Sequence, residues 1–319
     1  MLDERREEFV PREKVIKGEN CSDLQKELEA ALATGCETVV MDGEFRAVDK
    51  EQFALLRVGQ DKKIKIVGRN NATFDGEGVA HILYVSKGAS VEISGVEFKN
   101  GSTANLNSVL SNDNHPQEPL NRYHYLDGGA VLVGEGAQVT FNQCGFSNNT
   151  AQICGGAISN MGGYLNIEEC IFDGNSCGDT GAAIDNLVDG SLMVVKKSKF
   201  VNNRANTIGG GNYGAVTVFP GTFAVIDGCD FTGEDETAID WTKGAEVSFE
   251  GNTLNPDVEE PVIENPVHSR RSGIETIKRY ALVLANRYKY LKKLQGVPKV
   301  LGAVKKKHRQ IYEELAGSE

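Results

Sequence analysis

A motif recurs through the middle of this chain at a spacing that one turn of stacked strands would set. Four segments align on a phenylalanine: Cys144-Gly-Phe146-Ser-Asn-Asn149, Cys170-Ile-Phe172-Asp-Gly-Asn175, Ser198-Lys-Phe200-Val-Asn-Asn203 and Cys229-Asp-Phe231-Thr-Gly-Glu234. Successive phenylalanines lie 26, 28 and 31 residues apart. Weaker copies flank them, Val96-Glu-Phe98-Lys-Asn-Gly101 before and Val247-Ser-Phe249-Glu-Gly-Asn252 after. A second motif trails each core copy: Gly155-Gly-Ala-Ile158, Gly181-Ala-Ala-Ile184, Tyr213-Gly-Ala-Val216 and Thr237-Ala-Ile239, with Gly128-Gly-Ala-Val131 ahead of them. A unit this short cannot bury its own apolar face, whereas a stack of such units can.

Short runs between the motifs, such as Ala137-Gln-Val-Thr-Phe141, Tyr164-Leu-Asn-Ile167 and Leu192-Met-Val-Val195, read as strands with a buried face. Thr38–Met41, Ile64–Val67, Ile82–Val85 and Val91–Ile93 supply earlier ones. The 36 glycines are not spaced every third residue, which excludes collagen and suits a fold rich in corners. The expected architecture is an all-β solenoid, a right-handed parallel β-helix of about seven coils with neighbouring coils about 4.8 Å apart. Equivalent residues then form columns. Val96, Cys144, Cys170, Ser198, Cys229 and Val247 make a small apolar column, so the cysteines read as packing groups. Gly101, Asn149, Asn175, Asn203, Glu234 and Asn252 make a corner column whose amides can bond from coil to coil. No Cys-x-x-Cys pair suggests zinc.

The paired Phe-x-x-Asn and Gly-Gly-Ala-Ile signatures resemble the repeats of polymorphic outer membrane proteins, within the wider pectate-lyase-like right-handed β-helix superfamily. The likeness is literal at Phe146–Asn149, Phe172–Asn175, Phe200–Asn203 and Gly155–Ile158, and it covers roughly residues 95–252. It implies the β-helix fold and, for function, a cell-surface adhesin.

The ends differ from the middle. Residues 1–35 read as an arm and a capping helix, with Ser22 as N-cap, an apolar stripe of Leu24, Leu28, Ala31 and Leu32, and Gly35 as stop. The β-helix occupies 36–255, an acidic proline-containing linker 256–272, and a basic helical extension 273–316. In that extension Ile274, Ile277, Ala281, Leu284, Tyr288 and Leu291 recur at helical spacing, followed by Lys305, Lys306, Lys307 and Arg309. From Arg270 onward there are 13 Lys/Arg and 4 Asp/Glu, against 21 and 41 before it. The chain as a whole carries a net charge of −11, which argues against nucleic acid as its partner. The tail is expected to cap the solenoid or to dock on a protein, and its basic character also suits peripheral contact with an anionic membrane. No apolar run is long enough to span a bilayer. The opening Met1–Glu8 lacks the apolar stretch of a secretory leader, which fits either a protein acting inside a cell or compartment or one whose leader has been removed.

Candidate chemistry sits in the column that follows each Gly-Ala pair: Leu132, Ser159, Asp185, Thr217 and Asp240, read as facing outward. Asp185 and Asp240 are two coils apart, about 9.6 Å in a regular stack, near the upper separation for an inverting glycosidase. Asn186 and Trp241 would add a hydrogen bond and a stacking surface for a sugar. No adjacent Asp-Asp with a downstream Gly-His-Gly accompanies them. No cofactor is expected; calcium bound by Asp179, Asp185 or Asp189 is the alternative, although no recognised calcium spacing is present. The interruption at 102–127 reads as a long loop, with Arg122, Tyr123, His124 and Tyr125 as a recognition patch. The reading is a non-catalytic binding or scaffolding protein that meets a protein partner or polysaccharide through loop and tail. A polysaccharide lyase or glycoside hydrolase, and a surface adhesin, are the alternatives.

Overall fold

Seven phenylalanines run through the molecule as a single file: Phe45, Phe74, Phe98, Phe146, Phe172, Phe200 and Phe231, each paired in register or stacked on the next. From Phe98 to Phe231 the rings lie face to face with centroids 4.5 to 4.9 Å apart. That distance is the spacing of neighbouring strands, so the rings report a stack of parallel coils. The computed structural model describes residues 13–20, 23–49, 52–106, 122–205 and 214–264.

Among the described residues every strand pairing is parallel, and three sheets share the coils: one of 15 strands, one of eight and one of three. The largest sheet turns a corner. Its long strand Lys63–Asp75 pairs with Ser90–Ser94 through its first half and with Glu97–Lys99 through its second. Later coils break at this corner, where Gln143, Glu169 and Lys197 take positive φ. The eight-stranded sheet runs from Ala54–Val58 to Val262–Glu264 and defines a parallel β-solenoid of eight turns. One turn more than expected comes from Val262–Glu264, which the composition had assigned to a linker and which pairs with Ile239–Trp241.

The asparagine column bonds as a ladder. Asn149 Nδ2 donates to Asn175 Oδ1 at 2.9 Å, and Asn175 Nδ2 to Asn203 Oδ1 at 2.9 Å. Each amide also donates to a phenylalanine carbonyl one coil further back, as Asn175 does to Phe146. Left-handed backbone falls one residue earlier, at Asn100, Asn148, Gly174 and Asn202. The ladder ends at Glu234, whose carboxylate accepts from the Asn203 side chain at 2.6 Å and from its backbone N–H at 3.1 Å. The trailing copy of the repeat is out of step: Phe249 lies opposite Ile226, and Leu254 takes the place below Phe231. Asn252 therefore belongs to the cysteine column, where it accepts from Cys229 N.

Cys144, Cys170 and Cys229 are buried in the main core and free. Helix α1 spans Leu24–Ala33 with Asp23, rather than Ser22, as N-cap, its side chain accepting from Lys26 N. Leu24, Leu28 and Ala31 enter the main core, and Gln25 bonds both the N–H and the carbonyl of Arg57 on the end strand of the eight-stranded sheet. Among the described residues no helix is long and apolar enough to cross a membrane.

Candidate functional site

The column of candidate carboxylates exists as read. Leu132, Ser159, Asp185, Thr217 and Asp240 are consecutive register partners in the eight-stranded sheet. Their side chains point away from the main core but do not reach solvent: Asp185 is 0% and Asp240 4% exposed. A second apolar layer lies over part of this sheet. Phe53, Tyr84, Leu106, Tyr125, Leu126, Leu132 and Met161 form a separate buried cluster outside it. The turns that begin with the paired glycines close over the rest. A Cβ on Gly155 would stand 2.1 Å from Asp185 Oδ1, and one on Gly181 2.8 Å from Asp185 Cβ.

Burial sets the chemistry of these acids. Asp240 Oδ1 accepts from Gly214 N at 2.8 Å and from the Thr217 hydroxyl at 2.6 Å. Asp185 Oδ2 accepts from the Ser159 hydroxyl at 3.2 Å, while its Oδ1 has no partner. Burial, and then the negative charge of nearby Asp127, push the Asp185 carboxyl well above the usual range. Burial pushes Asp240 up as well, against the pull of Thr217. Burial disfavours the charged form of both acids, and at 0% and 4% exposure neither faces a space that a polysaccharide could enter. Asn186 is also structural: it accepts from Asn160 Nδ2 at 2.8 Å and donates to Phe223 O at 2.9 Å. Trp241 is 4% exposed within the main core, 6.3 Å from Phe249, so it offers no platform for a sugar. Asp179, Asp185 and Asp189 do not assemble as a calcium set, and among the described residues no group of three His, Cys, Asp or Glu is placed to hold a metal.

The 102–127 interruption is anchored at both ends. Ser102 bridges to Thr150, the Thr103 hydroxyl donates to Leu126 O, and Leu106 is fully buried. Residues Arg122–Leu126 form a 3-10 turn. Tyr125 does not project into a recognition patch. It packs edge-on against Phe53 at 5.4 Å because its ring fills the second apolar layer. His124 is half-buried beside Asp127, with Nδ1 3.4 Å from Oδ2. The side chains of Arg122 and Tyr123 lie outside the described residues, as do Ile274, Ile277, Leu284, Tyr288, Leu291, Lys305, Lys306 and Lys307.

His81 had no distinguishing pattern in the sequence. Its Nδ1 lies 2.6 Å from Gly128 O and its Nε2 3.2 Å from Tyr125 O, which ties the coil to the interruption. Burial lowers its pKa to about 4, so the ring is neutral at physiological pH.

One open depression lies on the outer face of the largest sheet, about 490 Å³ in volume. Gly145 has no side chain in the outward column between Glu97 and Ile171, and the Glu97 carboxylate lies over it where a Cβ would stand. Glu97, Ser147, Asp173, Gln143 and Glu169 line it with Ile171, which is 53% exposed. Burial raises the Glu97 pKa, and the Ser147 hydroxyl donates to its carboxylate. The mixture of acid, amide, hydroxyl and one exposed aliphatic group can hydrogen-bond to a ligand and pack against it.

No curated protein and no solved structure matches the chain. Residues 146–161 match the family model of the Chlamydia polymorphic membrane protein repeat. In this segment Phe146 stacks in the phenylalanine file, Asn149 bonds in the ladder, Gly155 turns the chain at positive φ and Ile158 enters the core, so the matched repeat describes part of one coil.

Proposed function

We propose that this protein is a non-catalytic binding solenoid of the surface or adhesin type, which holds a glycan or an extended protein segment on its outer faces. The observation that carries this reading is the interior position of Asp185 and Asp240, the carboxylate pair that the sequence offered for glycoside chemistry. The match to a polymorphic membrane protein repeat supports a surface role. Contact is assigned to the depression around Gly145 and Ile171, to His124 with Arg122 and Tyr123, and to the basic cluster Lys305, Lys306 and Lys307 of the tail. Helix α1 acts in this reading as a cap, because Gln25 satisfies edge groups of the first strand that would otherwise invite pairing.

The test is incubation with a panel of acidic and neutral polysaccharides, with and without calcium, scoring retention and new chain ends separately. Retention without cleavage is expected, and Ile171→Asp should weaken it at least five-fold. New ends that vanish in Asp185→Asn or Asp240→Asn would overturn the binding reading in favour of an enzyme.

A further inference from the structure

Strands Leu192–Lys196 and Phe223–Asp227 are apolar on both faces. Met193, Val195, Ala224 and Ile226 belong to the main core. Their neighbours Leu192, Val194, Phe223 and Val225 alternate with them and so point out of the solenoid, yet they are only 0 to 4% exposed. They form a cluster of their own, which among the described residues includes only half-buried Tyr164 besides. In earlier coils the same outward columns carry Lys63, Ser90 and Gln138, and Lys65, Glu92 and Thr140. The change from polar to apolar is confined to the last coils. Tyr164, Phe223 and Glu246 on this face are not free side chains.

The geometry points to the chain's own C-terminal segment as the cover: we propose that the stripe Ile274, Ile277, Ala281, Leu284, Tyr288 and Leu291 seats on the face formed by Leu192, Val194, Phe223 and Val225. In each preceding coil the chain passes from the eight-stranded sheet directly to a strand of this face, as from Ile239–Trp241 to Glu246–Glu250. The last strand, Val262–Glu264, ends at the corresponding point of the next coil, one rung beyond Glu246–Glu250. Leu192 is three rungs away, about 14 Å at the usual strand spacing. Residues 265–273 can span about 30 Å when extended, so the connection is long enough. As a helix, 274–291 would be about 27 Å long and could run along all the apolar rungs. Charge favours the same placement. The tail from Arg270 holds 13 Lys/Arg and 4 Asp/Glu, whereas the preceding chain is acidic, and Glu246 lies next to Phe223 in the same column. This inference is independent of what the protein binds.

Two full-length variants test it, Val225→Asp on the sheet and Leu284→Asp on the tail, the latter unable to disturb the coils directly. Hydrogen exchange follows 274–291 while hydroxyl-radical labelling follows Phe223 and Tyr164, with light scattering giving the mass. The wild-type chain should be monomeric, with 274–291 protected and Phe223 shielded. Either variant should speed exchange in 274–291 at least ten-fold, and Leu284→Asp should raise labelling of Phe223 several-fold while the strand at Phe146 stays protected. A tail that exchanges like a free peptide in the wild type, or Phe223 labelling unchanged by Leu284→Asp, would overturn the proposal. Shielding of Phe223 that is lost on dilution of a dimer would also overturn it and assign the face to a second copy.

Discussion

Gly155 holds a backbone φ of 64°, and a Cβ there would meet Asp185 Oδ1 at 2.1 Å and Ile158 O at 2.5 Å. Both facts act in one direction, since an L side chain is strained at this φ and has no space to occupy. Gly128 and Gly181 occupy the same turn in the neighbouring coils with φ of 69° and 68°. The glycine of the repeat is thus required by a turn that folds back over its own sheet, and this closure is what hides the carboxylate column. Gly155→Ala should cost about 1–3 kcal/mol of stability, read as a lower urea midpoint with an unchanged slope. Gly136, also at positive φ but with nothing near its missing Cβ, provides the comparison: its alanine variant should lose only about 1 kcal/mol from strain.

At the scale of the element, the asparagine ladder and its acidic end make stability depend on pH. Asn149, Asn175 and Asn203 each use the amide both to donate and to accept, but Glu234 can donate only when protonated. Burial raises its pKa from 4.5 to about 7 despite two bonds from Asn203. The folded state therefore holds its proton more tightly than the unfolded state. The resulting stabilisation is fully present below about pH 4.5 and is lost as pH rises through about 7. Asp185, Asp240 and Asp127 are shifted in the same direction, so they add to the trend. The unfolding free energy from denaturant melts should be higher at pH 5 than at pH 8, by on the order of 2–3 kcal/mol from Glu234 alone. Glu234→Gln, which restores an amide to the ladder, should flatten that part of the profile; a profile unchanged in this variant would show that Glu234 does not titrate in the range. The columns behind this behaviour were legible in the sequence because a stack repeats each side chain at one spacing. The cover over the outer faces was not. Alternation tells which way a side chain points but not what lies beyond it, so Asp185 read as open when it is enclosed; Trp241, next to outward Asp240, faces the main core as alternation itself requires. A signal was nevertheless present in Leu192-Met-Val-Val195, where the unbroken apolar run marks a strand buried on both faces.

For the whole molecule, the parallel pairing makes each coil bond chiefly to the coils above and below, so stability is close to a sum of coils and their interfaces. Phe98, Phe146 and Phe172 stack with centroids 4.9 and 4.7 Å apart and planes 11° and 4° from parallel, which makes the central coils geometrically interchangeable. The ladder has the same property, since Asn149 and Asn175 make equivalent bonds to the coils on either side. Removing residues 146–171 would join Gly145 to Phe172 and bring Phe172 onto Phe98 and Asn175 beneath Gly101. The excised protein should fold as a solenoid one turn shorter, keep its β signal per residue, and lose roughly 1–4 kcal/mol. It would also lose Ile171 and the depression around Gly145, while Asp185 and Asp240 would remain. Circular dichroism with urea melts checks the fold, and the polysaccharide panel checks the surface. A cooperative shortened protein that no longer retains its glycan would place recognition on the removed coil rather than on the carboxylate column. Collapse of the excised chain would instead mean that the anchored interruption at 102–127 needs its contacts with Ile153 and Met161, and that the stack is not modular at that point.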